Sequence, residues 1–488
     1  MGRPTPPEAT TPAPGHSDRS AGAGSTATLP TAEYLRTRLA ESVEKSGIPG
    51  ASLAIRVGDR TVATAVGVLD VETEYPATTD SVFQIGSITK VWTTTLVMQL
   101  VDEGLIDLDV PIRTYIPDLR LVDEDAAARV TTRHLLCHVA GFEGELFEDH
   151  GNGDDSIARL VASLATVGEQ LFPPGETFSY SNAGFDLLGL LVEVRTGLTW
   201  ERALRERIVA PLGLTHVANN ATESILLRTA IGHIGGPDGT NVKAPVHHTD
   251  RNGAPSGSAL ATTATDLLEF AAAHIRLGRL SDDRRLLSEE SARAMREPQI
   301  EIVGNGAFGA RKWGLGWILY DWSGGEVVGH DGGTIGQGAM LRVVPERDVS
   351  IALLTNGGAL YGVYDLICEL LDTLADVRPP APALPPAEPP AVDASYLVGS
   401  YASPAQRFDV AETEDGLTVT TRLLGRLGEL LGDATTTMRV VPTSERMLIC
   451  TEAVGGRHQQ FLFLGEGERA EYLHVGRAMR RIPDTGAE

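Results

Sequence analysis

Apolar positions recur along this chain with two different periods. Tyr34, Leu35, Leu39 and Val43 have helical spacing, and Gly47 ends the run. The next stretch, GASLAIRVGDRTVATAVGVL, has two β-rich runs flanking Gly58-Asp59, which predicts a hairpin. In FQIGSITKVWTTTLVMQLVDEGL, apolar residues at Val91, Leu96, Val97, Leu100 and Val101 predict a helix that starts near Ser87 and stops at Gly104. Within a large mixed block, helices are expected over 91–103, 156–166 and 183–195, strands near 338–344 and 349–355, and a further helix over 356–377.

The pattern changes after residue 377. Seven of the twelve residues 379–390 are proline, a run that stays extended and semi-rigid. Beyond it lie DGLTVTT, RMLICTEA, QQFLFLG and EYLHVGRAMRRI, the last read as a final strand. Short strands at this density predict a small β-barrel or sandwich. The division expected is a disordered tail over 1–30, an α/β block over 31–377, a Pro-rich linker over 378–392 and a small lipocalin-like β domain over 393–485. No repeat of 20–50 residues is present.

Charge narrows the partners. The 488 residues carry Lys+Arg 41 against Asp+Glu 65, a net charge of −24. Phosphate backbones and anionic lipid repel such a chain, so neither nucleic acid nor membrane is expected as a partner. The hydrophobic fraction of 42% is ordinary for a protein with a sizeable core. No apolar run is long enough to span a bilayer. The first thirty residues lack the apolar stretch of a secretory signal. Cys137, Cys368 and Cys450 lie far apart with no CxxC pair, which fits a reducing compartment. A cytoplasmic protein is expected; the oligomeric state is not legible.

Three short segments carry chemistry. Ser87 and Lys90 are three apart at a helix start, so the lysine ammonium can approach the serine hydroxyl. Unsatisfied N–H groups there favour a nucleophilic oxygen, and a buried lysine loses its proton more readily. The spacing alone is weak, since Ser42 and Lys45 share it on what reads as a solvated helix face. Tyr180-Ser181-Asn182 precedes a second apolar helix, and His330-Asp331-Gly332-Gly333 reads as a turn leading into a strand.

In this order, the three segments resemble the motif set of the serine β-lactamase and penicillin-binding-protein superfamily. The closest branch has Tyr-x-Asn as its second motif and includes class C β-lactamases, D-aminopeptidases, family VIII esterases and biosynthetic acyltransferases or peptide cyclases. HLLCHVAGF (134–142), PLGL (211–214), APSGSALATTATDLLEF (254–270), WGLGW (313–317) and PERDVSIALLTNGG (345–358) are similar at matching intervals. The resemblance covers roughly residues 31–375. It implies an α/β (α+β) fold, an antiparallel sheet flanked by helices with a helical subdomain, followed here by the small β domain.

The resemblance also implies roles. Ser87 attacks a carbonyl and forms an acyl-enzyme, with its proton managed by Lys90 and by a Tyr180 partly deprotonated near cations. Asn182, His330 and Gly332 support substrate, and the N–H groups of Ser87 and Gly333 form the oxyanion hole. The expected activity is hydrolysis of an ester or amide in a small molecule or short peptide. Acyl transfer or peptide cyclisation through the same acyl-enzyme is one alternative, and a non-catalytic, ligand-trapping sensor is another. Two departures count against a β-lactam substrate. His330 replaces the lysine common at the third motif, and Asp331 adds a negative charge where a substrate carboxylate would be received.

Other patterns carry less. His134 and His138, four apart with His150 near, are read as a structural pair, because no glutamate follows His134 as in zinc peptidases. His247-His248 with Asp250 reads as loop, and Glu176 as a turn residue after Pro174-Gly175. Trp313 and Trp317 either line the pocket or pack. G-x-S-x-G is absent, and GAGSTA (22–27) lies in the tail with no strand before it. No metal and no cofactor is expected.

Overall fold

The computed structural model describes residues 28–236, 240–304, 309–357, 360–432 and 435–483. Helix α1 (Ala32–Ser46) opens on Thr31, whose side chain accepts from the Tyr34 amide, and closes on the left-handed Gly47. The expected hairpin follows as β1 (Gly50–Val57) and β2 (Arg60–Gly67). The main sheet is completed by β3 (Ile300–Glu301), β4 (Ala310–Trp313), β5 (Ile318–Tyr320), β6 (Val327–Thr334), β7 (Gln337–Val344) and β8 (Val349–Thr355). Its order is β2-β1-β8-β7-β6-β5-β4-β3, antiparallel throughout.

The central strands β1, β7 and β8 are buried along their whole length. They read as continuous apolar runs because both faces of the sheet are covered. One face, with Leu53, Ile55, Met340, Ile351 and Leu353, packs against α1 and α6 (Tyr361–Ala375). The other, with Ala54, Leu341, Val343, Ala352 and Leu354, packs into the core shared with α2 (Thr89–Asp102), α4 (Asn182–Thr196) and α5 (Ala264–Ile275). Helix α3 (Ser156–Val167) lies against α4.

Three sequence expectations shift. Helix α6 starts five residues later than expected, because Asn356 is buried and its side chain donates to the carbonyls of Val68 and Leu69. His330-Asp331-Gly332-Gly333 is not a turn but the body of β6, paired residue by residue with β7. EYLHVGRAMRRI is not one strand but two, Tyr472–His474 and Ala478–Ile482.

Those two strands close an eight-stranded barrel. It comprises β9 (Gly399–Ala402), β10 (Gln406–Thr413), β11 (Gly416–Leu423), β12 (Thr435–Ser444), β13 (Met447–Cys450), β14 (Gln460–Leu464), β15 (Tyr472–His474) and β16 (Ala478–Ile482). Each strand pairs with the next, and β16 returns to β9, so the barrel leaves no open edge. Alternate residues such as Phe408 and Val410, or Phe461 and Phe463, fill its core. A smaller cluster of Leu171, Phe172, Tyr472 and Ala478 joins the barrel to the segment that leads to Tyr180. Residues 1–27, holding most of the expected tail and GAGSTA, lie outside the described residues. Among the described residues, no helix is long and apolar enough to cross a membrane.

Candidate active site

Ser87 sits in a short 3-10 turn, Gly86–Ile88, that runs directly into α2. Lys90, on the first turn of α2, is completely buried. Its Nζ lies 3.2 Å from Ser87 Oγ, 2.8 Å from Asn182 Oδ1 and 2.5 Å from the Ser256 carbonyl. Segments far apart in the chain thus meet at one amine. Ser42 and Lys45, with the same spacing, lie on α1, where Lys45 is exposed.

An ammonium has three N–H donors and no lone pair, whereas a neutral amine has two donors and one acceptor. The Asn182 and Ser256 oxygens can only accept, so they occupy two N–H groups and leave the third position of Nζ for Ser87. Burial drives the Lys90 pKa well below that of a free lysine, Asp186 opposes the shift, and Arg477 adds to it. In its neutral form, the amine presents its lone pair to the serine hydroxyl.

Tyr180 lies just before α4, whose N-cap is Ser181. Its ring stacks on His138 at 4.2 Å and lies 4.8 Å from Lys90 Nζ. Its hydroxyl is shielded from solvent and completes no hydrogen bond. Burial pushes the phenol pKa up, while the Ser87 hydroxyl and the Arg477 charge pull it down by less. The partly deprotonated tyrosine expected from nearby cations is therefore replaced by a protonated phenol, because desolvation outweighs the cations.

The third motif crosses behind Ser87. A Cβ on Gly332 would come 1.8 Å from the Ile85 carbonyl oxygen, and one on Gly86 would come 2.5 Å from the Gly333 nitrogen. Only glycine permits this approach of two backbones, and it brings the Ser87 and Gly333 amides together. His330 is buried; its Nδ1 is 2.6 Å from the Asp331 carbonyl and its Nε2 is unpartnered. Burial first, and the Lys90 charge second, lower its pKa to about 3, so the imidazole is neutral. Asp331 does not face the site. Successive residues of a strand point to opposite faces, and Asp331 is paired on the far face with buried Arg342 at 2.7 and 3.1 Å. It adds no free negative charge to the pocket.

The histidines, tryptophans and glutamate also singled out in the sequence take definite places. His138 is not on a helix with His134, since that helix ends at Leu136 and His138 has φ +57°. His134 caps its own helix, while His138 accepts from the Ser181 amide at 3.0 Å and supports Tyr180. Among the described residues, no group of three or more His, Cys, Asp or Glu is placed to hold a metal ion. Trp313 closes around His138 and Tyr180 at ring distances of 4.6 and 5.7 Å, whereas Trp317 packs on His274. Glu176 lies in an exposed turn, and His247 and His248 lie in a loop.

The barrel reaches the same place. Its β15–β16 turn accepts the Tyr180 amide on the Gly476 carbonyl at 3.0 Å, and His474 Nε2 lies 2.8 Å from the Phe178 carbonyl. Arg477 donates to the Tyr180 carbonyl at 3.2 Å and pairs with Glu145 at 3.0 Å. Glu145, almost wholly buried, also accepts from Ser403 at 2.8 Å. The neighbouring Gly144 carbonyl receives the amides of Asn182 and Ala183.

Comparison with known proteins agrees with this geometry. The β-lactamase family model matches residues 35–365. Penicillin-binding protein 4 of Amycolatopsis lactamdurans is 43% identical over 356 residues, covering 72% of this chain and 93% of that protein. The crystal structure of SurE superposes with a TM-score of 0.72 at 27% identity, covering 92% of this chain and 99% of SurE, a share that extends into the barrel. D-amino acid amidase of Ochrobactrum anthropi SV3, crystallised with L-phenylalanine amide, gives a TM-score of 0.58 at 25% identity, covering 70% of this chain and 97% of the amidase. By its sequence, its fold and its three converging motifs, this chain belongs to the β-lactamase family.

Proposed function

We propose that this β-lactamase-family serine hydrolase cleaves an amide or ester of a small molecule or short peptide through an acyl-enzyme on Ser87. The observation that carries the reading is the position of Lys90 Nζ, 3.2 Å from Ser87 Oγ with two other acceptors fixing its N–H groups. Lys90 takes the hydroxyl proton as Ser87 Oγ bonds to the carbonyl carbon. The Ser87 and Gly333 amides bear the developing oxyanion, and donors aimed at that charge are often the largest contribution to such catalysis. Tyr180, held protonated by burial, passes a proton to the leaving group and is reprotonated from Lys90. Water then enters, and the same groups run in reverse to release the acid and restore Ser87. Asn182 and the neutral His330 line the substrate side. No metal or cofactor enters the scheme.

The amide of a small amino acid is favoured as substrate by the likeness to D-amino acid amidase. The penicillin-binding relative makes a β-lactam the first inhibitor to try. Acyl transfer to an amine is the second reading. It is supported by the barrel turn packed beside Tyr180, which shields one flank of the pocket from water. We assign the protein to the cytoplasm on its three free cysteines.

The test uses D-amino-acid amides, p-nitrophenyl esters and a chromogenic cephalosporin, following burst and steady state with and without added amine. Steady turnover supports hydrolysis, acceleration by amine supports transfer, and a burst without turnover supports the trapping alternative. A Ser87→Ala variant that hydrolyses as fast as the parent overturns the mechanism.

A further inference from the structure

Lys90 faces a group that the scheme above does not use. Asp186 lies one turn beyond Asn182 on α4, so the two side chains share a helix face. It is 2% exposed, in an otherwise apolar run, FDLLGLLV. One of its carboxyl oxygens, Oδ1, is buried without a hydrogen-bond partner. On the same face, Asn182 accepts from Lys90 Nζ at 2.8 Å, and the Ser256 carbonyl holds that Nζ at 2.5 Å. Lys90, from α2, thus reaches the face of α4 that carries the buried Asp186 carboxyl, whose charge favours the ammonium.

A buried carboxyl beside a buried amine is costly unless each answers the other's charge. The other groups around Lys90 do not supply that answer. Arg477, from the barrel turn, is a cation. His138 and His330 are kept neutral by burial and by Lys90 itself. Tyr180 is a protonated phenol 4.8 Å away. Among these groups, Asp186 alone offers a negative charge to the ammonium that forms when Lys90 takes the Ser87 proton.

We propose that Asp186 is a positioning residue that bears the countercharge of the ammonium formed on Lys90 during acylation. The proposal rests on Ser87 as nucleophile and Lys90 as base. The proton goes from Ser87 Oγ to Lys90 Nζ, and Asp186 stays ionised and unmodified while it does. Burial first holds the carboxyl up at about 7, opposed by Ser256 and by Lys90. The group thus ionises in the neutral range, where the amine is used.

The experiment exploits composition. The chain has only four lysines, at 45, 90, 243 and 312, so lysine labelled with 13C at Cε gives four resonances, with Lys90→Met identifying the buried one. Asp186→Asn keeps the shape and removes the charge, and Asp186→Glu restores it. In Asp186→Asn, the Lys90 resonance is expected to titrate about one pH unit lower than in the parent. The acid limb of kcat/KM moves the same way and the plateau falls about tenfold, with Asp186→Glu recovering part of both. A Lys90 titration unchanged in folded Asp186→Asn overturns the proposal, even if activity or melting temperature falls. If Asp186→Asn does not fold, the same comparison is made on Asp186→Glu, whose longer arm must shift the Lys90 titration for the proposal to stand. The NMR readout needs no turnover, so a protein in which Ser87 proves inert while Lys90 still responds to Asp186 separates failure of the proposed reaction from failure of this inference.

Discussion

Arg477, on the last hairpin of the barrel, lays its guanidinium 4.7 Å from the ring centre of Tyr180 and donates to that residue's own carbonyl at 3.2 Å. One side chain thus fixes the backbone of the second motif and places a cation beside its phenol. Glu145 holds the other end of the guanidinium, so the arm cannot swing away without leaving a buried carboxylate short of a partner. Arg477→Met should lower kcat/KM by about tenfold or more, the order expected for a hydrogen bond to a charged group. Arg477→Lys should recover only part of it, since an ammonium lacks the planar fork. Initial rates on the best substrate from the panel check this; an unchanged rate in Arg477→Met means the barrel contact is passive.

The Ser87–Lys90 pair gives the plainest expectation. Ser87→Ala should lose the acyl adduct seen by intact-protein mass spectrometry, and Lys90→Met should slow its formation by roughly three orders of magnitude. Lys90→Arg should be no better, because a guanidinium keeps its protons and cannot act as base. Rapid acylation of Lys90→Arg would contradict a role for the amine lone pair.

Two adjacent glycines should behave differently. A methyl group on Gly332 meets the Ile85 carbonyl oxygen, while one on Gly333 meets nothing within 4 Å. Gly332→Ala should therefore lower the melting temperature and cut activity roughly a hundredfold by spreading the oxyanion donors apart. Gly333→Ala should fold like the parent and keep most of its activity, because its amide remains. Equal melting temperatures for the two variants would contradict the close packing of β6 on the Ser87 turn.

Acid should act on stability through the buried histidines. Burial lowers the His274 pKa to about 3, against about 6.5 when unfolded. A histidine held neutral in the fold takes up its proton on unfolding, so its stabilising effect is present above pH 6.5 and is lost as pH falls from there toward 3. Buried His138 and His330 shift in the same direction. Between pH 7 and pH 5, melting temperature should fall more steeply in the parent than in His274→Gln. Identical slopes for the two across that window would show that this imidazole is not buried in neutral form.

Where burial and periodicity agree, the sequence was an accurate guide. The hairpin at Gly58-Asp59, helices α2, α3 and α4, and strands β7 and β8 follow directly from apolar spacing. The convergence of Ser87, Lys90 and Asn182 was legible because three motifs in order imply one pocket. What a strand's alternation hides is orientation: Asp331 was expected in the pocket, yet it turns to Arg342 because its neighbour His330 already takes the inner face. Arg477 left no local signal, since its importance comes from where a barrel turn docks. Asp186 did leave one, a carboxylate inside the apolar run FDLLGLLV one turn past Asn182. The charge states of Lys90 and Tyr180 depend on desolvation, which no spacing reveals.

The closing hairpin of the barrel has a consequence for biosynthesis. Ser87 emerges from the ribosome early, and the sheet that holds it is finished by β8, but the turn that seats Tyr180 is translated only after seven strands of the barrel. From the completion of β8 until the last hairpin is made, a nascent chain therefore holds Ser87 in a cleft that still lacks one wall, and a proteolytic nick near residue 470 would leave the sheet with an unfinished pocket.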